Sequence, residues 1–194
     1  MSFRVICPDP PWRYDQYRDT KHGAAKSHYG TMSDADIAAL PVGDLASEDA
    51  YLFLWVTGPV LCEGRHKPIM EAWGFEVVTI PFVWVKTYHD GKPYCGLGRY
   101  TRSATEFVVL GRRGRFWRES ASVYQVVTAP VGKHSEKPQE VYDRIVKFCG
   151  DVPRVELFAR KRREGWTSHG DECPGWVLSL QHEEEPIAEA AADG

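Results

Sequence analysis

This sequence predicts a three-layer α/β fold with a mainly parallel sheet, and three observations carry that expectation. Short apolar runs read as strands, they alternate with stretches of helical patterning, and Tyr51-Leu52-Phe53-Leu54-Trp55-Val56 is apolar at nearly every position. Unbroken apolarity marks a strand covered on both faces, the situation created by helices above and below a parallel sheet. The 194 residues, 43% of them hydrophobic, suit one domain with a core that needs no disulfide or metal staple.

Taken in order, Phe3 to Cys7 makes a brief strand cut off by Pro8. Residues 13–30 are polar, contain Gly23 and Gly30, and read as a long loop, of a length compact domains keep only where it is functional or disordered. Ser33 is a helix cap, with Asp34 and Asp36 in the first turn and Ile37 and Leu40 on the buried side up to Pro41. After the 51–56 strand, residues 59–73 fit one helix closed by Gly74, with Val60, Leu61, Ile69, Met70 and Trp73 facing inward. Val77 to Val85 is strand-like, although Pro81 demands a bulge or an edge. A second long loop, 87–105, leads to a strand at Phe107-Val108-Val109-Leu110 and a turn at Gly111-Arg112-Arg113-Gly114. Pro138 suits the first turn of a helix running to about Phe148, which presents Val141, Tyr142 and Ile145 and stops at Gly150. Val155-Glu156-Leu157-Phe158 is the last predicted strand. The expected division is a domain over 1–172 and an acidic, disordered tail over 173–194.

Charge and cysteine content narrow the class. No apolar run approaches the ~20 residues that span a bilayer, and Pro8 and Asp9 break the first residues too early for a signal peptide. Five scattered cysteines without a C-x-x-C pair read as reduced thiols of a cytoplasmic protein. Seven histidines without metal spacing predict no metal. Net charge is −3, but 171–194 holds seven acids and no Lys or Arg, whereas 92–118 holds seven basic residues against Glu106 alone. That basic segment is either a phosphate-attracting surface or a solvated hairpin.

The densest chemical signal is Pro8-Asp9-Pro10-Pro11-Trp12, directly after a strand, where α/β sheets bind ligands. Proline fixes φ and removes donors, so the carbonyls of this segment are expected to point one way with no internal partner. Asp9 adds a carboxylate and Trp12 a flat face. Two acceptors beside an aromatic plate fit a planar base with an exocyclic amino group. The same residues would also make a stiff turn with a capping Asp and a packed Trp.

Around this motif stand Tyr29-Gly30-Thr31-Met32-Ser33, Leu52 to Thr57, Trp84-Val85-Lys86-Thr87, His134-Ser135-Glu136-Lys137-Pro138 and Glu156-Leu157-Phe158-Ala159-Arg160. In this order and spacing they resemble the MT-A70 family of N6-adenine methyltransferases, over roughly residues 9–172. The resemblance implies a Rossmann-like methyltransferase fold in circularly permuted order, with the catalytic motif ahead of the cofactor-binding strand. It implies S-adenosyl-L-methionine as cofactor and a nucleic acid, DNA ahead of RNA, as substrate. The rivals are a catalytically silent binding subunit and methylation of another exocyclic amino group.

By position in the family, Asp9, Pro10, Pro11 and Trp12 form the catalytic motif, with Asp9 also at the cofactor. Lys137 would pair with the cofactor carboxylate and Arg160 would reach its ribose. Phe158 would supply backbone contacts, and Asp171 and Glu172 would hold the nucleoside part. Tyr29 and Glu106 match positions near the target adenine, with Lys86, Arg99 and Arg102 as further substrate-binding candidates. The family usually continues upstream with a segment that helps hold the cofactor adenine. Here eight residues precede Asp9, so either another group is expected to close that pocket or cofactor binding is expected to be weak without a partner chain, a second copy or a related subunit.

Overall fold

Alternation along two central strands sorts the core into two layers. In β1 (Phe3–Pro8), Phe3 and Ile6 join one buried cluster while Val5 and Cys7 join the other. In β2 (Ala46–Val56), Leu52, Leu54 and Val56 join the first, and Tyr51, Phe53 and Trp55 the second. Successive side chains of a strand point to opposite faces, so an unbroken apolar run needs cover on both. Four short helices cover the first face: α1 (Asp34–Ala38), α2 (Val42–Leu45), α3 (Gly58–Glu63) and α4 (His66–Ala72). The second is covered by α5 (Gln139–Cys149), through Val141, Tyr142, Ile145 and Cys149. These contacts come from a computed structural model that describes residues 2–14, 30–98, 100–115, 117–132, 136–170 and 173.

The sheet is completed by β3 (Glu76–Thr87), β4 (Thr105–Arg113), β5 (Val126–Pro130), β6 (Arg154–Leu157) and β7 (Thr167–His169). Its seven strands lie in the order β5-β3-β4-β2-β1-β6-β7. The β1·β2, β1·β6, β3·β5 and β6·β7 pairs are parallel, and only β4 runs against its neighbours β2 and β3. The sheet is therefore mainly parallel with helices on both faces, a Rossmann-like methyltransferase fold. The strand carrying Asp9 at its end precedes in sequence, and pairs with, the strand leading into Phe158.

Local rules held where they were strong. Ser33 caps α1 with a full capping box, its hydroxyl accepting from the Asp36 N–H while the Asp36 carboxylate accepts from the Ser33 N–H. Pro81 falls where the β3·β4 register shifts and before the β3·β5 pairing begins at Val83, so its missing N–H is tolerated. Pro138 stands at the N-cap of α5, just outside the first turn where the sequence placed it.

Three expectations are corrected. The single helix over 59–73 is two, because Gly64 adopts φ 71° and ends α3. Gly111 to Arg113 belong to β4 rather than to a turn, and the chain turns at Gly114 with φ 68°. A Cβ at Gly111 would sit 2.7 Å from Met70 Cε and 3.0 Å from Phe75 Cβ, so the glycine lets the helical layer close on the strand. β5 and β7 went unpredicted. The 173–194 tail lies outside the described residues except for Cys173, which is buried and bridged to Gly170, so the folded part reaches at least that residue. Among the described residues no helix is long and apolar enough to cross a membrane.

Candidate active site

With six strands pointing one way, their carboxyl ends share one edge of the sheet, and the reversed β4 contributes its start to the same edge. Asp9 follows β1, Lys86 lies near the end of β3, Glu106 opens β4, Lys137 precedes α5, and Phe158 and Arg160 follow β6. The sheet thus assembles residues that are far apart in sequence. Asp9 is anchored by its N–H, which donates to the Leu157 carbonyl at 3.2 Å.

Four of these side chains form one ionic chain. The Lys137 ammonium lies 2.6 Å from Asp9 Oδ2 and 3.2 Å from Glu106 Oε2, and Lys86 Nζ lies 2.5 Å from Glu106 Oε1. Lys137 is mostly buried, its side chain 7% exposed and its ammonium 5.4 Å from the Trp55 ring centre, whereas the Asp9 side chain keeps 20% of its surface open. Burial pushes the Asp9 carboxyl above its ordinary 3.8, and Lys137 pulls it only part of the way back. Burial pushes Glu106 up too, but Lys137 and Lys86 together outweigh it and hold that carboxyl below 4.5. Burial disfavours the Lys137 charge, yet Asp9 and Glu106 reverse the balance and raise it above the ordinary 10.5. Of the two carboxylates Asp9 is the easier to protonate, and it is the more exposed, 20% against 11%.

The Asp9–Trp12 segment departs from its expected form in two respects. The Pro10 carbonyl accepts the Trp12 N–H at 2.9 Å and the Pro11 carbonyl accepts the Met32 N–H at 2.9 Å, so neither lacks an internal partner. The tight turn brings the chain back on itself; each oxygen still has a second lone pair. Trp12 is not an open plate. It is 5% exposed, packs in the first core cluster, and donates its indole N–H to the Trp55 carbonyl at 3.1 Å. It pins the turn to the end of β2.

Beside Asp9 opens a cavity lined by Glu136, Lys137, Phe158, Arg160 and Lys161, with the Glu156–Arg163 pair also on its wall. Phe158 is held at φ 61°, a conformation costly for a residue with a side chain. The next turn leaves no room either: a Cβ at Gly170 would stand 2.3 Å from the Ala159 carbonyl oxygen and 2.8 Å from the Phe158 carbonyl carbon. A carboxylate and an ammonium side by side on the cavity wall complement an α-amino acid zwitterion, the terminal part of S-adenosylmethionine. The residues present fit that group.

Of the other candidates, Glu106 and Lys86 join the site but face each other. Arg102 is exposed on the loop between β3 and β4. Tyr29, Arg99, Asp171 and Glu172 lie outside the described residues. The basic 92–118 segment is not one surface. Lys92 and Arg102 lie on the loop between β3 and β4, while Arg112 and Arg113 lie at the far end of β4, about 20 Å or more along the strand from Glu106 at 3.4 Å per residue. Among the described residues no group of three or more His, Cys, Asp or Glu could hold a metal ion.

Sequence reasoning passed over Arg163, the last residue of the basic run Arg160-Lys161-Arg162-Arg163. Its side chain is 2% exposed, and its Nε donates to Glu156 Oε2 at 3.0 Å. Glu156, also missed, accepts the Tyr142 hydroxyl at 2.6 Å. A lone carboxylate between Val155 and Leu157 in a buried strand was the available signal, since a buried charge needs a partner.

The sequence profile of the MT-A70 family matches residues 3–172. The chain is 35% identical over 191 residues to the Type II methyltransferase M.MunI of Mycoplasma sp., covering 89% of this chain and 78% of that protein. It is 30% identical over 182 residues to the N(6)-adenosine-methyltransferase MT-A70-like protein of Arabidopsis thaliana, and 29% over 183 residues to the human N(6)-adenosine-methyltransferase catalytic subunit METTL3. Each of these two matches covers 90% of this chain but only 24% and 29%, respectively, of the longer relative.

Proposed function

The chain belongs to the MT-A70 family, and on that premise we propose that it methylates the N6 amino group of adenine in nucleic acid, with S-adenosylmethionine as methyl donor. DNA stands ahead of RNA as substrate because the bacterial Type II methyltransferase is matched along most of both chains. The observation that carries the reading is the Asp9 carboxylate, partly open to solvent on one side and braced by Lys137 on the other.

When bound, the cofactor supplies a sulfonium methyl group. The residues of this chain do the rest. The adenine N6 lone pair is delocalised into the ring, so the nitrogen is a poor nucleophile. Asp9 accepts one N6–H and the second lone pair of the Pro10 carbonyl accepts the other, which favours the pyramidal nitrogen of the transition state. Both acceptors are fixed in advance, Asp9 by its backbone bond to β6 and Pro10 by the turn that Trp12 pins. Lys137 holds Asp9 in place and presents its own charge to the carboxylate of the cofactor. Asp9, the more easily protonated carboxylate, passes the surplus proton to solvent. A duplex target has to be flipped out of its stack.

The test is mass analysis of nucleosides from DNA and from RNA incubated with the protein and methyl-labelled cofactor. Labelled N6-methyladenine from DNA is the expected product. Label on cytosine, or none on either polymer, overturns the reading.

A further inference from the structure

Arg163 has no place in the chemistry above, yet it is among the most completely engaged side chains of the structure. Besides its bond to Glu156, its Nη2 donates to the Lys137 carbonyl at 3.0 Å and its Nη1 to Gln139 Oε1 at 2.5 Å. Its guanidinium carbon lies 3.6 Å from the Tyr142 ring centre, so the planar fork is clamped face-on as well as at its edges. Three elements meet on it: β6 through Glu156, the residue ahead of α5 through Lys137, and the first turns of α5 through Gln139 and Tyr142.

β6 also carries the other half of the site. It pairs with β1 in a register that sets Glu156 beside Cys7 and Leu157 beside Pro8, and the Leu157 carbonyl takes the Asp9 N–H. The backbone of Asp9 is therefore fixed to β6 directly, and the backbone of Lys137 is fixed to β6 through Arg163 and Glu156. One strand sets both ends of the 2.6 Å ion pair.

We infer that Arg163 is a positioning residue, whose grip on the Lys137 carbonyl and Gln139 sets the Lys137 ammonium against Asp9 and the cofactor's amino-acid end. This rests on the reading of Lys137 and Asp9 given above. A shift of Lys137 by about 1 Å misplaces an acceptor-bracing charge without unfolding the sheet, and misplacements of that size cost on the order of a hundredfold in rate. Lysine cannot replace the fork, because one ammonium on a flexible stem does not span Glu156, Gln139 and the carbonyl together.

The experiment is a double-mutant cycle on the full chain, with Arg163→Gln, Lys137→Met and the pair, reading kcat, cofactor affinity and nucleic-acid affinity separately. The expected result is a ten- to hundredfold fall in kcat and weaker cofactor binding for Arg163→Gln, unchanged nucleic-acid affinity, and no further loss when it is added to Lys137→Met. Losses that multiply in the pair mark Arg163 as a general stabiliser and overturn the inference, as does an Arg163→Gln protein of normal kcat. If Arg163→Gln does not fold, Arg163→Lys takes its place, keeping the charge beside Glu156, and the same coupling is required of it. A Lys137→Met protein with normal cofactor binding and turnover would instead refute the reading of the site itself.

Discussion

Asp9 and Lys137, 128 residues apart in the chain, meet at 2.6 Å with the lysine the more deeply buried of the two. The ammonium leans on Glu106 as well, so it keeps a carboxylate partner when the Asp9 charge is removed. Burial raises the Asp9 carboxyl above its ordinary value, so charging it is less favourable in the fold than in the unfolded chain, and Lys137 offsets only part of that cost.

Asp9→Asn mimics the protonated form. The variant is expected to keep its unfolding midpoint at neutral pH and to lose about two orders of magnitude or more in turnover, the usual cost of one preorganised group. Thermal unfolding and single-turnover methyl transfer on the same preparation check both halves.

The pH profile follows from the same group. A carboxyl raised by burial contributes stability that is present below its unfolded value of 3.8 and is lost as pH rises through the folded value. On the proposed reading activity runs the opposite way, because Asp9 would have to be ionised to accept the N6–H. The acid limb of kcat/KM therefore lies above 3.8. In Lys137→Met it moves to higher pH still, since the strongest influence lowering the Asp9 value is gone. A limb that stays in place in this variant would separate Asp9 from the rate.

Trp12→Ala is a core deletion. It is expected to cost about 3–5 kcal/mol of stability, as buried Trp-to-Ala changes do, with activity lost alongside. Trp12→Phe keeps most of the packing and gives up the indole bond to the Trp55 carbonyl, a loss of about 1 kcal/mol. Denaturant unfolding of the two variants tests this order.

The division of the basic segment makes a prediction about salt. Arg102→Ala should weaken nucleic-acid binding and flatten the dependence of log affinity on log salt by about 0.9 per phosphate contact removed. Arg112→Ala, at the far end of β4 and paired with Glu76, should leave the slope unchanged. Titrations at several salt concentrations compare the two.

Strands with a strong local signature were legible in the sequence, and so was the turn after β1. The apolar run of β2 and the alternation of β1 needed only their own residues. β5 and β7 were not legible, because Val126 to Pro130 is five residues ending in proline and Thr167-Ser168-His169 is polar. Their strand character comes from a neighbour already in place. The break at Gly64 hid inside a helical pattern that continues on both sides of it. In the site, Asp9 and Lys137 announced themselves through their motifs. What Trp12 packs against is set 43 residues away in β2, and nothing local separates Arg163 from Lys161 and Arg162. Only the return of the chain along β6 toward β7 decides which of the three faces inward.

The reversed direction of β4 has a consequence for how such a site can change. In a sheet whose strands all run one way, each residue at the working edge hangs on a crossover that must travel back across the layer. Glu106 instead sits at the foot of a simple hairpin, its register fixed opposite Trp84. Lengthening a connection of that kind costs only about 0.6 kcal/mol per doubling, and the paired strands below it do not move. The stretch between Tyr88 and Ala104 is thus an exchangeable cassette beside a fixed reaction centre. On the proposed reading, swapping it would change the nucleotide context that the site meets and leave the Asp9–Lys137 ion pair unaltered.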